Sequence, residues 1–339
     1  MKQTKITTKD KLLDENGSLK HPGYATSLVL DYDRREIKAK KHRIKEWDYY
    51  FFGNDEFGVA LTIADNSYMG LVGATVFDFV DKQKYDFKHI IPFTNGKLKM
   101  PKDSMDGDIV FKSKKIIFKA IVREDERVVH VTIPKFSKNK SFDFKAYIKY
   151  LNKDSLVVAT PYKDDPQAFY YNQKINNLEA RGTFKFGEEV KEFEKLQGVL
   201  DWGRGVWTRD NTWYWSSLST TLEDGSAFAF NLGYGFGDTS AASENMAFYK
   251  GQAYKLNDVD FGLPENNFTD DWHFTSSDGA IDLIFTPLYD NVTLINLLFL
   301  KQDAHQVFGY FSGAIRISKD QVITINKAFG FAEKVRNVW

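Results

Sequence analysis

The chain has 339 residues, 42% of them hydrophobic, and 46 basic residues balance 46 acidic ones. That length exceeds one ordinary core and suits two. There is no cysteine, which excludes disulfides, thiol catalysis, thiolate zinc sites and cysteine-held iron–sulfur clusters.

The N-terminal residues lack the apolar core of a signal peptide. The first patterned segment is Trp47-Asp48-Tyr49-Tyr50, which leads through Asp55-Glu56 into Val59–Ile63 and then Gly70. Alternating apolar and polar residues then predict strands over Lys115–Arg123, Arg127–Ile133, Phe142–Leu151, Ser155–Thr160 and Gly182–Phe186. Between these the pattern lapses at Asn172, Asn176 and Asn177, which places a domain seam near 173–181. Glu188–Leu196 carries helical spacing, and Ala241–Phe248 carries it weakly. Further strands are predicted over Ala227–Phe236, Ala280–Phe285, Val307–Ile317 and Gln321–Ile325. Asp224-Gly225 supplies the positive-φ positions of a tight hairpin. Val292–Leu300 is apolar but interrupted by Thr293 and Asn296, and is far too short to span a bilayer. The expectation is an all-β, cytoplasmic protein of two barrels, residues 1–176 and 177–339, with no integral membrane segment.

The second half repeats the first in outline. Trp213-Tyr214-Trp215 leads through Asp224-Gly225 into Phe228–Leu232 and then Gly233. Charge differs between the halves. Residues 1–175 hold 32 Lys and Arg against 24 Asp and Glu, a net +8, and residues 176–339 hold 14 against 22, a net −8. Either the basic half faces an anionic partner or, as expected here, the halves face each other.

Four of the seven tryptophans, Trp202, Trp207, Trp213 and Trp215, fall within fourteen residues. Asp201, Arg204, Gly203 and Gly205 are interleaved with them. Indoles around one acid and one base describe a lined pocket with a charged corner; they also describe a packed barrel end. Asp201 and Arg204 are expected within salt-bridge distance, either as part of a site or as a buried structural pair. The strand Phe228–Asp238 alternates strictly. Phe228, Phe230, Leu232, Tyr234 and Phe236 form one face; Ala229, Asn231, Gly233, Gly235 and Gly237 leave the other nearly bare. A ligand, or the indoles of Trp213 and Trp215, would fill that bare face. In the following loop, Asp238, Glu244 and Asn245 are candidates to fold over the same end. A carboxyl there, beside aromatic surface, could serve as an acid. The six histidines show no metal spacing, and there is no HExxH, nucleophile elbow or phosphate loop. No metal, cofactor or nucleic-acid partner is expected.

Taken together, Pro22–Ala25, Ile44–Asp48, Leu200–Trp207, Trp213–Trp215, Asn231-Leu232-Gly233 with Gly237-Asp238, and Glu244-Asn245 resemble a bacterial family known as a domain of unknown function. The resemblance runs over nearly the whole chain. Leu200-Asp201, Trp213-Tyr214-Trp215 and Asp224-Gly225 also resemble, more distantly, the hydroxyneurosporene synthase or carotenoid hydratase group. That resemblance implies two packed lipocalin-like antiparallel β-barrels and kinship with proteins that hold hydrophobic molecules. It makes Asp201 the position that could inherit an acid role, although Trp202-Gly203-Arg204-Gly205 departs from the group's pattern. Two functions follow as expectations. One is binding of an apolar or amphipathic small molecule, lipid or isoprenoid-like, by Trp202, Arg204, Trp207, Trp213, Trp215, Asn231 and Asn245. The other is a cofactor-independent hydratase, cyclase or isomerase using Asp201, Asp238 or Glu244.

Overall fold

The computed structural model describes residues 3–138, 140–265, 267–297 and 300–339. The described residues are almost entirely strand and loop; the only helical pieces are two three-residue 3-10 turns. None is a helix long and apolar enough to cross a membrane. Two large antiparallel sheets, one of twelve strands and one of nine, each curl around their own core. This is the expected all-β architecture of large antiparallel sheets.

The two sheets share a wiring plan. In the first, the strand Ile44–Gly53 sits mid-sheet, between its hairpin partner Phe57–Asp65 and the sheet's last strand, Glu189–Val206. In the second, Asp210–Thr221 sits between Ala227–Tyr234 and the last strand, Gln321–Val338. The sequence echo between Trp47 and Trp213 therefore has a topological counterpart: both indoles lie on the strand that joins the beginning of a sheet to its end. The hairpin at Asp224-Gly225 forms as its residues dictate, with Gly225 at φ +81°.

Three local expectations change. The position 176/177 falls inside a 22-residue strand, Asp165–Phe186, and the change of sheet comes between Val206 and Asp210. Asn176 and Asn177 mark a bulge in that strand, with Asn177 at φ +55°. Their polarity serves the neighbouring sheet. Asn176 donates to Ser217 Oγ at 2.8 Å and to the Phe230 carbonyl at 3.0 Å, and the Asn177 backbone N–H donates to Ser219 Oγ.

Residues 189–196 are strand, not helix. Phe193 pairs with Gly182 while Leu196 pairs with Ala180, so one extra residue bulges out between them. That insertion sets two inward side chains three apart and imitates helical spacing. Residues 241–245 are loop, followed by the short strand Met246–Tyr249. The loop is tied by Gln3, whose side-chain oxygen accepts from the Ser243 backbone N–H at 2.9 Å.

The sheets meet through aromatic rings, not through charge. Phe308 of the second sheet is fully buried against Phe51, Phe77 and Phe79 of the first, with centroids 4.8–5.0 Å apart. Among the described residues no salt bridge joins residues 3–206 to 210–339. The expected charge-complementary interface is therefore replaced by one of packed rings and hydrogen bonds.

Candidate functional site

The site is built by the alternation of the strand Glu189–Val206. Side chains two apart share a face of a strand. Asp201, Gly203, Gly205 and Trp207 face the second sheet, whereas Trp202 and Arg204 face into the first barrel. Arg204 is consequently not Asp201's partner. Its guanidinium is fully buried, pairs with Asp48 at 3.2 Å, donates to the Trp47 and Pro101 carbonyls, and lies 4.1 Å from the Trp202 ring centre. Trp202 is core, edge-on to Tyr32 and Tyr171. The expected charged corner fails because positions 201 and 204 are an odd number of steps apart.

On the other face Asp201 has a different cation. Lys174 Nζ lies 2.9 Å from Asp201 Oδ1, and both residues are buried. Trp47 Nε1 donates to Asp201 Oδ2 at 3.0 Å, and Asn172 donates to Oδ1. Gly203 makes room for this arrangement. A Cβ there would lie 1.9 Å from a Trp47 ring carbon, so the indole can cross the strand only because the side chain is missing.

Around this pair lies a cavity of about 390 Å³ between the two sheets. That is within the ~300–1,000 Å³ usual for small-molecule sites. Trp47, Trp207, Trp213, Trp215, Tyr170 and Phe236 form its aromatic wall. The rings hold one another: Trp207 packs edge-on against Trp47 at 5.2 Å and Phe236 at 4.8 Å. Such contacts stiffen the wall beyond their burial.

Two more carboxyls line the cavity. Glu244 is buried, with Tyr170 donating to it at 3.5 Å. Burial pushes its carboxyl up to about 7; the Asp201 charge adds to the rise, and Lys174 opposes it. Glu333 accepts from Trp213 Nε1 at 2.9 Å and from Gln306 at 3.3 Å. Burial pushes it up to about 7 as well, against the Trp213 bond and Lys174. Among the described residues no basic nitrogen lies within 4.0 Å of either glutamate. Behind Glu244, Lys255 is half-buried and bonded to Ser243 Oγ and the Asn245 carbonyl, and desolvation lowers it to about 7.

Of the residues expected from sequence, Asp201, Glu244, Trp207, Trp213 and Trp215 meet at this cavity. Asn231 and Asn245 stand just behind it. Asn231 accepts from Trp215 Nε1 at 2.7 Å and donates to the Glu244 carbonyl at 2.7 Å, while Asn245 accepts from the Gly233 N–H. They brace the wall and the loop. Gly233 leaves the space that Glu244 fills, its missing Cβ lying 3.5 Å from the Glu244 Cβ. Asp238 is outside the lining; its carboxyl is held below the usual range by the Ser240 backbone N–H. Lys174, Glu333, Tyr170 and Gln306 were not singled out from sequence. Each lies on a long strand whose alternation is ordinary, and nothing local separates a cavity-facing polar residue from a solvent-facing one.

Comparison with curated proteins finds no match. Three solved structures align with most of the chain at low similarity. A putative AttH (NE1406) from Nitrosomonas europaea has a TM-score of 0.48 at 13% identity, covering 89% of this chain and 96% of that one. Kievitone hydratase from Nectria haematococca has a TM-score of 0.46 at 11% identity, covering 98% of each. CghA with Sch210972 has a TM-score of 0.45 at 8% identity, covering 98% of this chain and 97% of that one. Residues 3–339 match the family described as Domain of unknown function (DUF2804), and the chain belongs to that family.

Proposed function

We propose that the cavity between the sheets binds an apolar or amphipathic small molecule. The carrying observation is the aromatic wall with a polar floor: eight aromatic side chains line the same cavity as Asp201, Lys174, Glu244 and Glu333. The rings bury the ligand's body, at about 25 cal/mol per Å² of apolar surface removed from water. The polar floor orients one end. Trp207 is central because it touches Trp47, Trp213 and Phe236 together. Native mass spectrometry of the purified protein, with titration of tryptophan fluorescence by apolar probes, tests this reading. Binding that weakens about tenfold in Trp207→Ala supports it, the loss of one large ring contact being worth roughly 1.4 kcal/mol or more. A protein that carries nothing and responds to no apolar probe would defeat it.

One observation favours a second reading, a cofactor-independent hydratase, cyclase or isomerase. Burial pushes the Glu244 and Glu333 carboxyls up to about 7 in a cavity walled by aromatic rings. Such a carboxyl can hold a proton at pH 7 and deliver it to a carbon–carbon double bond. The ring faces and the Asp201 carboxylate would stabilise the cation that develops, and water addition or loss of a neighbouring proton would complete the reaction. Asp201 is the anchor in this scheme and Glu244 or Glu333 the acid. Incubation with isoprenoid alkenes in D2O reads the chemistry directly. Deuterium uptake that is lost in Glu244→Gln or Glu333→Gln, with probe affinity retained, would establish it; no uptake with any bound alkene would dismiss it.

A further inference from the structure

The charges in the cavity do not balance. Three buried carboxyls, Asp201, Glu244 and Glu333, face one buried ammonium, Lys174, and that ammonium is already paired at 2.9 Å with Asp201. Lys88 also lines the space, but it is exposed and sits on the solvent side. Lys255 lies behind Glu244 and is engaged by a hydroxyl and backbone carbonyls. Glu244 and Glu333 thus have hydroxyl, indole and amide donors but, among the described residues, no cation within 4.0 Å. An ionised carboxylate is costly to bury without one. The cavity also shows how it accommodates a cation: the Lys174 ammonium lies 3.9 Å from the centre of the Trp215 ring. Four indoles and two unpaired carboxyls make an enclosure of the kind that takes alkylammonium groups.

We propose that the ligand of this cavity is a cationic amphiphile, an amine or quaternary ammonium on an apolar body, with its charge set against the buried carboxyl of Glu244 or of Glu333. This rests on the reading of the cavity as a small-molecule site and names its ligand class. The cation supplies the counter-charge that the protein lacks, so it binds the form in which the glutamates have lost their protons. Binding near neutrality therefore releases protons, and affinity rises with pH through about 7, where burial sets both carboxyls. The other titratable groups facing them are Lys174 and Asp201, Tyr170 and Tyr162 beside Glu244, Tyr49 beside Glu333 and, from behind Glu244, Lys255. Lys255 titrates in the same range and loses charge as pH rises, which reinforces the same trend.

The experiment compares three probes of equal chain length below their aggregation limits: decyltrimethylammonium, 1-decanol and decanoate. The quaternary head cannot titrate, so any pH dependence of its binding belongs to the protein. At pH 8.5 the ammonium is expected to bind at least about tenfold tighter than the alcohol, a typical gain for a desolvated cation–carboxylate and cation–π contact. Decanoate should bind worst. At pH 5.5 the advantage should largely vanish, and calorimetry at pH 7 in buffers of different ionisation enthalpy should register proton release. The doubly substituted Glu244→Gln, Glu333→Gln protein should lose the preference, binding decyltrimethylammonium no tighter than 1-decanol at either pH. Decanol or decanoate binding as tightly as the ammonium, or an ammonium preference independent of pH, would overturn the proposal while leaving the apolar site standing. Failure of all three probes would remove both.

Discussion

Lys174 and Asp201 are each other's main compensation for burial, so removing either leaves a lone charge under the second sheet. Lys174→Met should lower stability by about 3–5 kcal/mol, the usual cost of breaking a buried pair from one side. The Lys174→Met, Asp201→Asn double variant should lose less than the two single variants summed, because the orphaned charge is gone. Urea denaturation of the three variants checks both statements. The same reasoning covers Arg204, whose partner is Asp48; Arg204→Ala should be costly for the fold yet leave the cavity lining in place. Gly203→Ala probes the opposite face of that strand. The added methyl meets the Trp47 ring at 1.9 Å, with two further ring carbons at 2.2 and 2.3 Å. Overpacking of this kind costs about 1–3 kcal/mol, and here it should also shift tryptophan emission as Trp47 leaves Asp201. At this scale the sequence announced that Asp201 and the tryptophans gather in one place. It could not say which of two charges, Arg204 or a lysine 27 positions upstream, would be the partner.

Turns were easier to read than strand register. Asp224-Gly225 declares a hairpin because few residues other than glycine tolerate φ +81°, and Gly225 has open space around a would-be Cβ. Gly225→Ala should therefore cost only backbone strain, about 1 kcal/mol, and less than Gly203→Ala; thermal unfolding of the two variants side by side tests the order. Bulges escaped notice for a physical reason. The pairing of Phe193 with Gly182 and Leu196 with Ala180 inserts one residue and breaks the two-residue period. Within a single segment that break is indistinguishable from a helical turn. Asn176 and Asn177 were misleading in the same way, since buried asparagines that bond a neighbouring sheet look like linker residues until the neighbour is known.

At the scale of the molecule, buried titrating groups shape the response to pH. Glu244 and Glu333 have folded-state values raised to about 7. Between roughly pH 4.5 and 7 the folded state binds more protons than the unfolded chain, so stability falls as pH rises through that window. Lys45 and Lys255 are lowered by burial to about 6 and about 7. Above those values the unfolded chain binds more protons, so stability climbs again towards pH 10. Urea midpoints should therefore pass through a minimum near neutrality. The Glu244→Gln, Glu333→Gln protein should lose the acid limb of that curve, and Lys255→Met should flatten the alkaline limb. The aromatic interface makes a separate forecast. Co-expressed fragments 3–208 and 209–339 should stay associated between low and high salt, because screening acts on charges and not on the packing of Phe308 against Phe51, Phe77 and Phe79. Dissociation by salt would point back to a charged interface.

Sequence alone determined the chemistry available and the kind of fold. Short alternating segments and aromatic content dictate sheets, length dictates two cores, the missing cysteine limits the reactive groups, and the clustered indoles locate the neighbourhood of the site. These are local properties, legible because strand alternation and turn geometry depend on residues a few positions apart. Tertiary structure decided the rest. It set Lys174 on Asp201, brought Glu333 from the last strand and Glu244 from a loop to the same cavity, and turned Trp202 and Arg204 into the core of the first sheet. Each of those outcomes depends on register between distant strands and on how two sheets face each other, and a shift of one residue in either would exchange the inner for the outer set of side chains.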